Sequence, residues 1–443
     1  MFKGVILAAG IGKRMKSSTP KVLHKIFGYP ILYYPIKTLL DSGIESLNLF
    51  IVVGKNREIY EQSIKIPDVN FVIQDEPLGT GDATKRALPY IEDGDEVLVI
   101  PSDAPLIKKE TIIKAKELFK EKKAHILILT SILENPSPYG RVVREGENIV
   151  GIKEDKDLKD DERGIKEINS GIYIFKGEIL KKYLPLLKNE NAQREYYLTD
   201  VIGLAARDNK RIISMPVSFE EIIGINTRRN LREVFKIMKD RKINELEDNG
   251  VTIFDPATTF ISPFVKAGRD TVFYPGVYIE GEVEFGEGCV IGPFVKIDAV
   301  KEKVIVRDNV IIGPFASIRE GTKLMNKSKA KTFVEIKKST VGEGSAVPHL
   351  SYIGDATIGK NVNIGAGTIT CNYDGKKKHP TIIEDDVFIG SDSILVAKEG
   401  GLFIRKGAYT GAGSVITEDV PPYSLALGRA RQINKQGWVK KDE

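Results

Sequence analysis

The stretch Val347–Gly375 reads VPHLSYIGDATIGKNVNIGAGTITCNYDG. Within it Ile358, Ile364 and then Thr370 recur at six-residue spacing, with Gly or Asn close behind. The same beat continues upstream through Phe273, Ile279, Phe285, Ile291 and Ile297, then Val306, Ile312, Ile318 and Leu324. Downstream it takes up Ile383, Ile389 and Leu395, then Ile404, Thr410 and Ile416. A period of six suits neither a helix nor a simple alternating strand. It suits a solenoid whose short strands each form one side of a triangular coil, with one aliphatic residue per side pointing inward. A single coil cannot bury its own inner face, so stacked neighbours supply the core. A scaffold alone has no need of the polar residues His349, Tyr352, Asn363, Asn372 and Tyr373 in this stretch.

The rest of the chain sets the bounds. Its 443 residues are 42% hydrophobic and 29% charged, enough for two or three domains with ample core. A net charge of +5 over this length gives no reason to expect nucleic acid as a partner. Cys289 and Cys371 have neither metal-ligand spacing nor the pattern of a disulfide framework. No apolar run is long enough to span a bilayer, and the apolar MFKGVILAAG is too soon broken to act as a signal peptide. The expectation is a cytoplasmic protein with no membrane partner.

At the N-terminus, KGVILA (Lys3–Ala8) reads as a buried parallel strand that feeds the loop AGIGKRM (Ala9–Met15). Gly10 and Gly12 let the backbone approach a ligand, and Lys13 and Arg14 add positive charge, which is a phosphate-cradling arrangement. It is not the dinucleotide fingerprint, because Met15 replaces the third Gly. Nor is it a Walker A loop, because Arg14 follows Lys13 where Ser or Thr would stand. Lys21 is near enough to serve a second phosphate as a point charge. Strand and helix signals then alternate: a helix over 31–42, strands over 46–53 and 70–73, Gly79-Thr80-Gly81 opening a helix over 83–88, and a strand over 97–100 ending at Asp103. This alternation predicts a doubly wound parallel sheet with ligands beyond the carboxyl ends of its strands. Further strands are read over 126–132, in a hairpin from Tyr139-Gly140-Arg141 back to Glu154, over 167–175 and over 212–217, with a helix over 195–206. The charged run 227–249 reads as a connecting helix, and Pro421-Pro422 as the end of the solenoid. Trp438, the only tryptophan, implies that part of the tail packs on something.

Taken together, Leu7-Ala8-Ala9-Gly10-x-Gly12-x-Arg14-Met15, Pro20-Lys21, Gly79-Thr80-Gly81, Asp103 and the block His349–Gly375 resemble a known family. It is that of the bacterial bifunctional N-acetylglucosamine-1-phosphate uridyltransferases and glucosamine-1-phosphate acetyltransferases. The likeness covers essentially the whole chain. The N-terminal signature alone specifies a sugar-nucleotide pyrophosphorylase, and the His349–Gly375 block selects the bifunctional family. The resemblance implies an α/β chain in four parts: a Rossmann-like nucleotidyltransferase domain over 1–226, a linker helix over 227–249, a left-handed parallel β-helix of hexapeptide repeats over 250–420, and a tail over 421–443. It implies a homotrimer acting on UTP, acetyl-CoA, glucosamine-1-phosphate and N-acetylglucosamine-1-phosphate, with Mg2+ as cofactor, supplying peptidoglycan and lipopolysaccharide precursors.

The same resemblance implies the site residues. Ala8, Ala9, Gly10, Lys21, Gln74, Gly79 and Thr80 would hold the nucleotide, and Gly140, Glu154, Asn169 and Thr199 the acetylated sugar. Asp103 and Asn226 would hold magnesium. In the solenoid His349 would be the catalytic base, a task suited to imidazole near neutral pH. Of His24, His125, His349 and His379, only His349 stands among clustered polar residues of the solenoid. Arg319, Lys337, Tyr352 and Asn363 would bind the sugar phosphate, and Ala366, Asn372, Tyr373, Ser391 and Arg429 the sugar or the coenzyme. Nearness in sequence offers Glu335 as the group that orients His349.

Three features depart from the family pattern. Leu395 and Ile404 are nine positions apart, so KEGGLF (398–403) must be accommodated as an insert. Pro348 precedes His349 where Gly is usual, and the tail after Trp438 is short. Two other readings therefore stand beside the main one. One is a nucleotidyltransferase for glucose or mannose phosphate with a solenoid tail. The other is a chain whose solenoid is a non-catalytic scaffold.

Overall fold

The computed structural model describes residues 1–10, 12–436 and 438. The chain divides into two compact units, Met1–Lys236 and Ile237–Glu443.

In the first unit, the sheet runs in the order Ile212–Pro216, Ile126–Ile132, Glu167–Lys176, Glu96–Pro101, Phe2–Leu7, Leu49–Val53, Asn70–Ile73. Neighbours pair in parallel, except that Glu167–Lys176 is antiparallel to both of its own. The sheet is therefore mixed rather than wholly parallel. Alternate strand residues face opposite layers, as the pleat requires. Ile6, Ile51, Leu98 and Leu127 pack with Ile36 and Leu39 of helix Tyr33–Asp41 and Ile112, Ala115 and Phe119 of helix Lys109–Glu121. Val5, Val52, Val97 and Ile126 pack on the other side with Ile179, Leu180, Val201 and Ile202. Each such buried aliphatic side chain contributes roughly 1.5–3 kcal/mol.

Several elements differ from the sequence reading. Helix Lys109–Glu121 escapes it, because three apolar contact residues lie in a run dominated by Lys and Glu. The expected strand over 46–53 opens with a 3-10 turn, Ser46–Asn48. The helix expected over 195–206 begins only at Asp200, since Tyr196 and Leu198 are held by Leu78, Gly81 and Thr80.

The second unit is a coil of parallel strands. Val272 pairs with Val290 and Tyr278 with Lys296, so one coil takes eighteen residues, three sides of six. The inward column Phe273, Ile279, Ile291, Ile297, Ile312, Ile318, Leu324, Ile336, Val347, Ile353, Ile364, Ile389, Leu395 and Ile404 is fully buried. Thr370 and Thr410 occupy the same slot, and their hydroxyls accept backbone N–H groups of Gly354 (2.8 Å) and Gly390 (2.9 Å). Longer coils carry the insertions. Asn363 pairs with Phe388, and the extra length is the hairpin closed by the Tyr373–Lys378 bridge. Ile394 pairs with Val415, and the insert turns through Gly400 (φ 90) and Gly401 (φ 96) before Leu402–Ile404 rejoins Thr381–Ile383. The KEGGLF insert thus leaves the stacking intact. Pro348 lies between the paired residues Val347 and His349.

The coil does not stop at Pro421-Pro422: strand Leu425–Ala426 pairs beyond it with Tyr409–Thr410. Helix Arg228–Asp248 crosses the division between the units. Within the second unit its Lys239 and Lys242 ammonium groups donate to the carbonyls of Pro256 (2.8 Å) and Val265 (3.0 Å). Trp438 is 78% exposed, and among the described residues its ring meets the Lys435 ammonium, 5.3 Å from the ring centroid. Val439 to Glu443 lie outside the described residues.

Candidate active sites

The first site forms at the carboxyl ends of strands Phe2–Leu7 and Glu96–Pro101. The Ala8 N–H still donates to Val52 (2.7 Å), while Ala9 and Gly10 lie beyond the sheet and the space a Gly10 Cβ would take is open. Gly12 has φ 67, and a Cβ there would fall 2.5 Å from Lys21 Cβ, so only glycine lets the loop pack on Lys21. The Lys21 ammonium is ion-paired with Asp103 and donates to Asn226 Oδ1 at 3.2 Å. Residues 82 and 205 positions away from Lys21 therefore converge on one cation.

Gln74 is buried and donates to the carbonyl of Gly79 (3.2 Å) and to Asp82 (2.8 Å). Gly79 (φ 109) and Thr80 open a short helix, but its donors are partly committed. The Gly81 N–H donates to Tyr196 (2.8 Å), and Thr80 Oγ1 accepts from Leu198 N (3.1 Å). These bonds join the loop to the segment carrying Thr199, whose hydroxyl donates to Glu154 (3.3 Å). The Gly140 carbonyl accepts from Asn169 N (2.9 Å), and Asn169 Nδ2 donates to the buried Tyr173 hydroxyl (2.7 Å).

Glu154 opens into a cavity of about 380 Å3 that Asp157, Tyr197 and Asp200 also line. Burial pushes the Glu154 carboxyl up, with the Asp157 and Asp200 charges adding to it against the Thr199 bond. Burial and nearby carboxylates raise Tyr197 to about 12, and its hydroxyl finds no partner among the described residues. Asp157, Tyr197 and Asp200 were not among the expected site residues. The helical reading of 195–206 concealed the turn that brings Tyr197 to the cavity.

In the solenoid the polar residues form two runs. Arg319 Nη1 donates to Glu335 (2.7 Å), and Arg319 and Lys337 both reach Glu320 (3.8 and 3.2 Å). Glu335 is therefore the partner of Arg319 and not the group that orients His349. On the next coils a Cβ at Gly354 would meet Tyr352 Oη at 2.6 Å and Asn372 Nδ2 at 2.8 Å, so this glycine lets the two side chains close over it. Asn372 donates to Asp355, which also pairs with Lys378 (3.3 Å). Sequence reading missed Lys378 because it stands in a run of lysines; the hairpin that carries it selects it.

The second run climbs one corner. The carbonyl of His349 accepts from Gly367 N (3.4 Å), that of Ala366 from Asp392 N (2.7 Å), and that of Ser391 from Gly413 N (2.8 Å). Beside Gly413 lies Arg429 Cδ, 4.0 Å from the place of a Cβ. The His349 side chain is exposed, and Asn363 sits one coil from Ala346 and one from Phe388. The exposed Tyr373 donates to the Gly375 carbonyl (2.7 Å) within its hairpin. There Lys377 N–H, the His379 ring and Lys376 N–H hold the Asp374 carboxyl well below its usual range.

A mixed α/β sheet with a glycine loop at its strand ends, and a six-residue solenoid bearing its own polar cluster, give the chain two candidate sites. Residues 3–221 match the Nucleotidyl transferase family model, and residues 380–418 that of the hexapeptide repeat of succinyl-transferase. The repeat match is consistent with a left-handed β-helix. The chain is 49% identical to the bifunctional protein GlmU of Thermotoga maritima over 99% of both chains. It is 48% identical to that of Fervidobacterium nodosum, covering 99% of this chain and 97% of the relative, and 46% identical to that of Carboxydothermus hydrogenoformans, covering 99% and 100%. A putative glucose-1-phosphate thymidylyltransferase of Bacillus anthracis covers 54% of this chain and 95% of its own at 20% identity and TM-score 0.44, too distant to bear on activity. The chain belongs to the bifunctional GlmU family.

Proposed function

We propose that the solenoid unit transfers the acetyl group of acetyl-CoA to the amine of glucosamine-1-phosphate. The N-terminal unit then joins the N-acetylglucosamine-1-phosphate so formed to UTP, releasing pyrophosphate. The observation that carries this reading is that each unit holds its own polar cluster, one gathered at Lys21 and one around Tyr352 and Asn372. A scaffold would need only the inward aliphatic column.

In uridyl transfer, the loop Ala8–Gly10 with Gln74, Gly79 and Thr80 orients the nucleotide, and Lys21 offsets phosphate charge. Gly140, Glu154, Asn169 and Thr199 hold the acetylated sugar so that its phosphate oxygen lies in line with the leaving pyrophosphate. Positioning and charge stabilisation are most of what phosphoryl chemistry asks of a protein. Asp103 and Asn226 fit a magnesium ion: both offer hard oxygens, and both already converge on a cation, the Lys21 ammonium. Among the described residues no cluster of three or more His, Cys, Asp or Glu groups offers a closed metal cage. Asp103 and Asn226 would therefore hold the ion with only two oxygens, leaving the rest of its shell to substrate phosphates and water. When bound, the ion neutralises charge on the phosphates.

In acetyl transfer, Arg319 and Lys337 take the phosphate of glucosamine-1-phosphate, and Tyr352, Asn363 and Asn372 orient its ring. The amine attacks the thioester carbonyl, His349 accepts the proton the amine loses and passes it to the departing sulfur, and coenzyme A leaves as the thiol. Ala366, Tyr373, Ser391 and Arg429 line the coenzyme side. Exposed, stacked Phe294, Phe315 and Phe333, with centroids 5.2 Å apart, form an apolar column that supports assembly into a homotrimer. Free Cys289 and Cys371 fit a reducing cytoplasm. No helix of the described residues is long and apolar enough to cross a membrane.

The test is a reciprocal pair. Asp103→Ala is expected to abolish uridyl transfer and spare acetyl transfer, and His349→Ala to do the reverse. Loss of both activities from either folded variant would refute the two-site reading.

A further inference from the structure

We infer that Arg141 is the positioning residue that sets the spacing of the acetylated-sugar pocket, and that it acts through Asp155. The inference rests on the reading of Gly140, Glu154 and Asn169 as sugar-binding residues. Arg141 stands where three strands meet: it pairs with Lys153 across the hairpin and with Ile168 of Glu167–Lys176. Gly140, Glu154 and Asn169 are each one residue along the chain from Arg141, Lys153 and Ile168. The pocket is thus built at the open end of the hairpin: a backbone bond still ties Asn169 to Gly140 (2.9 Å), but beyond the Arg141–Lys153 pair the ladder no longer fixes the separation of Gly140 and Glu154.

The Arg141 side chain spans that point. It is 2% exposed, its Nη1 donates to the Tyr139 carbonyl, and its Nη2 donates to Asp155 Oδ1 at 3.0 Å. Asp155 Oδ2 accepts in turn from Ser137 Oγ at 3.1 Å. One planar fork therefore ties the residue before Gly140 to the residue after Glu154. The tolerance there is small, because a Cβ on Gly140 would lie 3.3 Å from the Lys153 carbonyl and 3.4 Å from Glu154 Oε2. The arrangement is costly as pure structure. A buried guanidinium is expensive, an apolar side chain would hold a hairpin at less cost, and Arg141 Nε has no partner among the described residues. What the guanidinium adds is a fixed angle between two acceptors, which neither Lys nor Met supplies.

The experiment uses the full chain and UTP, with N-acetylglucosamine-1-phosphate and glucose-1-phosphate as competing substrates. Arg141→Met and Asp155→Ala are expected to raise KM for the acetylated sugar phosphate by about 10- to 100-fold, the scale of a small misplacement of binding groups. The preference over glucose-1-phosphate should fall with it, while KM for UTP and the acetyl transfer rate stay at wild-type values. Asp155→Asn keeps the acceptor oxygen and is expected to restore KM. Should Arg141→Met not fold, the two half-exposed Asp155 variants decide alone. Equal loss toward both sugars, a parallel rise in KM for UTP, or failure of Asp155→Asn to rescue would overturn the inference. A wild-type chain that does not prefer the acetylated sugar would instead overturn the sugar-site reading, and the inference with it.

Discussion

The Lys21 ammonium occupies the two oxygens proposed for the metal, so replacing this lysine should tighten metal binding while removing activity. In the free chain the Lys21 side chain is only 13% exposed, and its ammonium is shared by Asp103 and, at 3.2 Å, Asn226. A divalent cation entering between these oxygens must first displace it. Hydrogen bonds to a charged group contribute about 1.5–3 kcal/mol, and about 1.4 kcal/mol is a tenfold change in affinity. Lys21→Met, which keeps the apolar stem, is therefore expected to tighten Mn2+ binding to the nucleotide-free chain by about 10- to 100-fold. Calorimetric titration with the metal alone measures this directly, with Asp103→Asn as the control that weakens binding in both backgrounds. Uridyl transfer should fall in the same variant, because the phosphates lose their point charge. Lys21→Met protein that binds Mn2+ no more tightly than wild type would refute the shared-cation argument, whatever its activity.

Three further outcomes follow from particular contacts. Burial raises the Glu154 carboxyl above the ordinary range, so its ionised form is lost at a higher pH than usual as the solution is acidified. KM for N-acetylglucosamine-1-phosphate should accordingly rise as pH falls through that raised value, and Asp157→Asn should move the rise to lower pH; a pH profile of KM checks both. Gly342→Ala would set a methyl carbon 2.0 Å from the Gly359 carbonyl oxygen of the next coil. It should destabilise the solenoid by about 1–3 kcal/mol in denaturant unfolding. Asp374→Ala removes the acceptor that ties Lys376, Lys377 and His379 into one hairpin. It should raise KM for glucosamine-1-phosphate several-fold and leave uridyl transfer unchanged.

The solenoid was legible because each inward residue from Phe273 to Ile404 faces the same apolar column, so burial imposes the period directly on the sequence. The glycine loop and Asp103 were legible because close backbone approach and a strand end leave local marks. What stayed hidden depends on distant partners. Nothing near Glu167–Lys176 says that it runs antiparallel between two strands that the chain reaches separately. The pairing of Glu335 with Arg319 needs the coil-to-coil register, which sequence nearness to His349 does not reveal. Lys378 is distinguished from Lys376 and Lys377 only by the hairpin that turns it toward Asp355. The strand after Pro421-Pro422 was missed because proline marks an interruption, and the coil simply resumes beyond it.

The most direct test of the account is thiol release from acetyl-CoA by the purified chain with glucosamine-1-phosphate and no UTP. The two-site reading predicts release that His349→Ala eliminates and Asp103→Ala leaves intact. No release from wild-type protein that still transfers uridyl groups would contradict it, and would make the solenoid a scaffold.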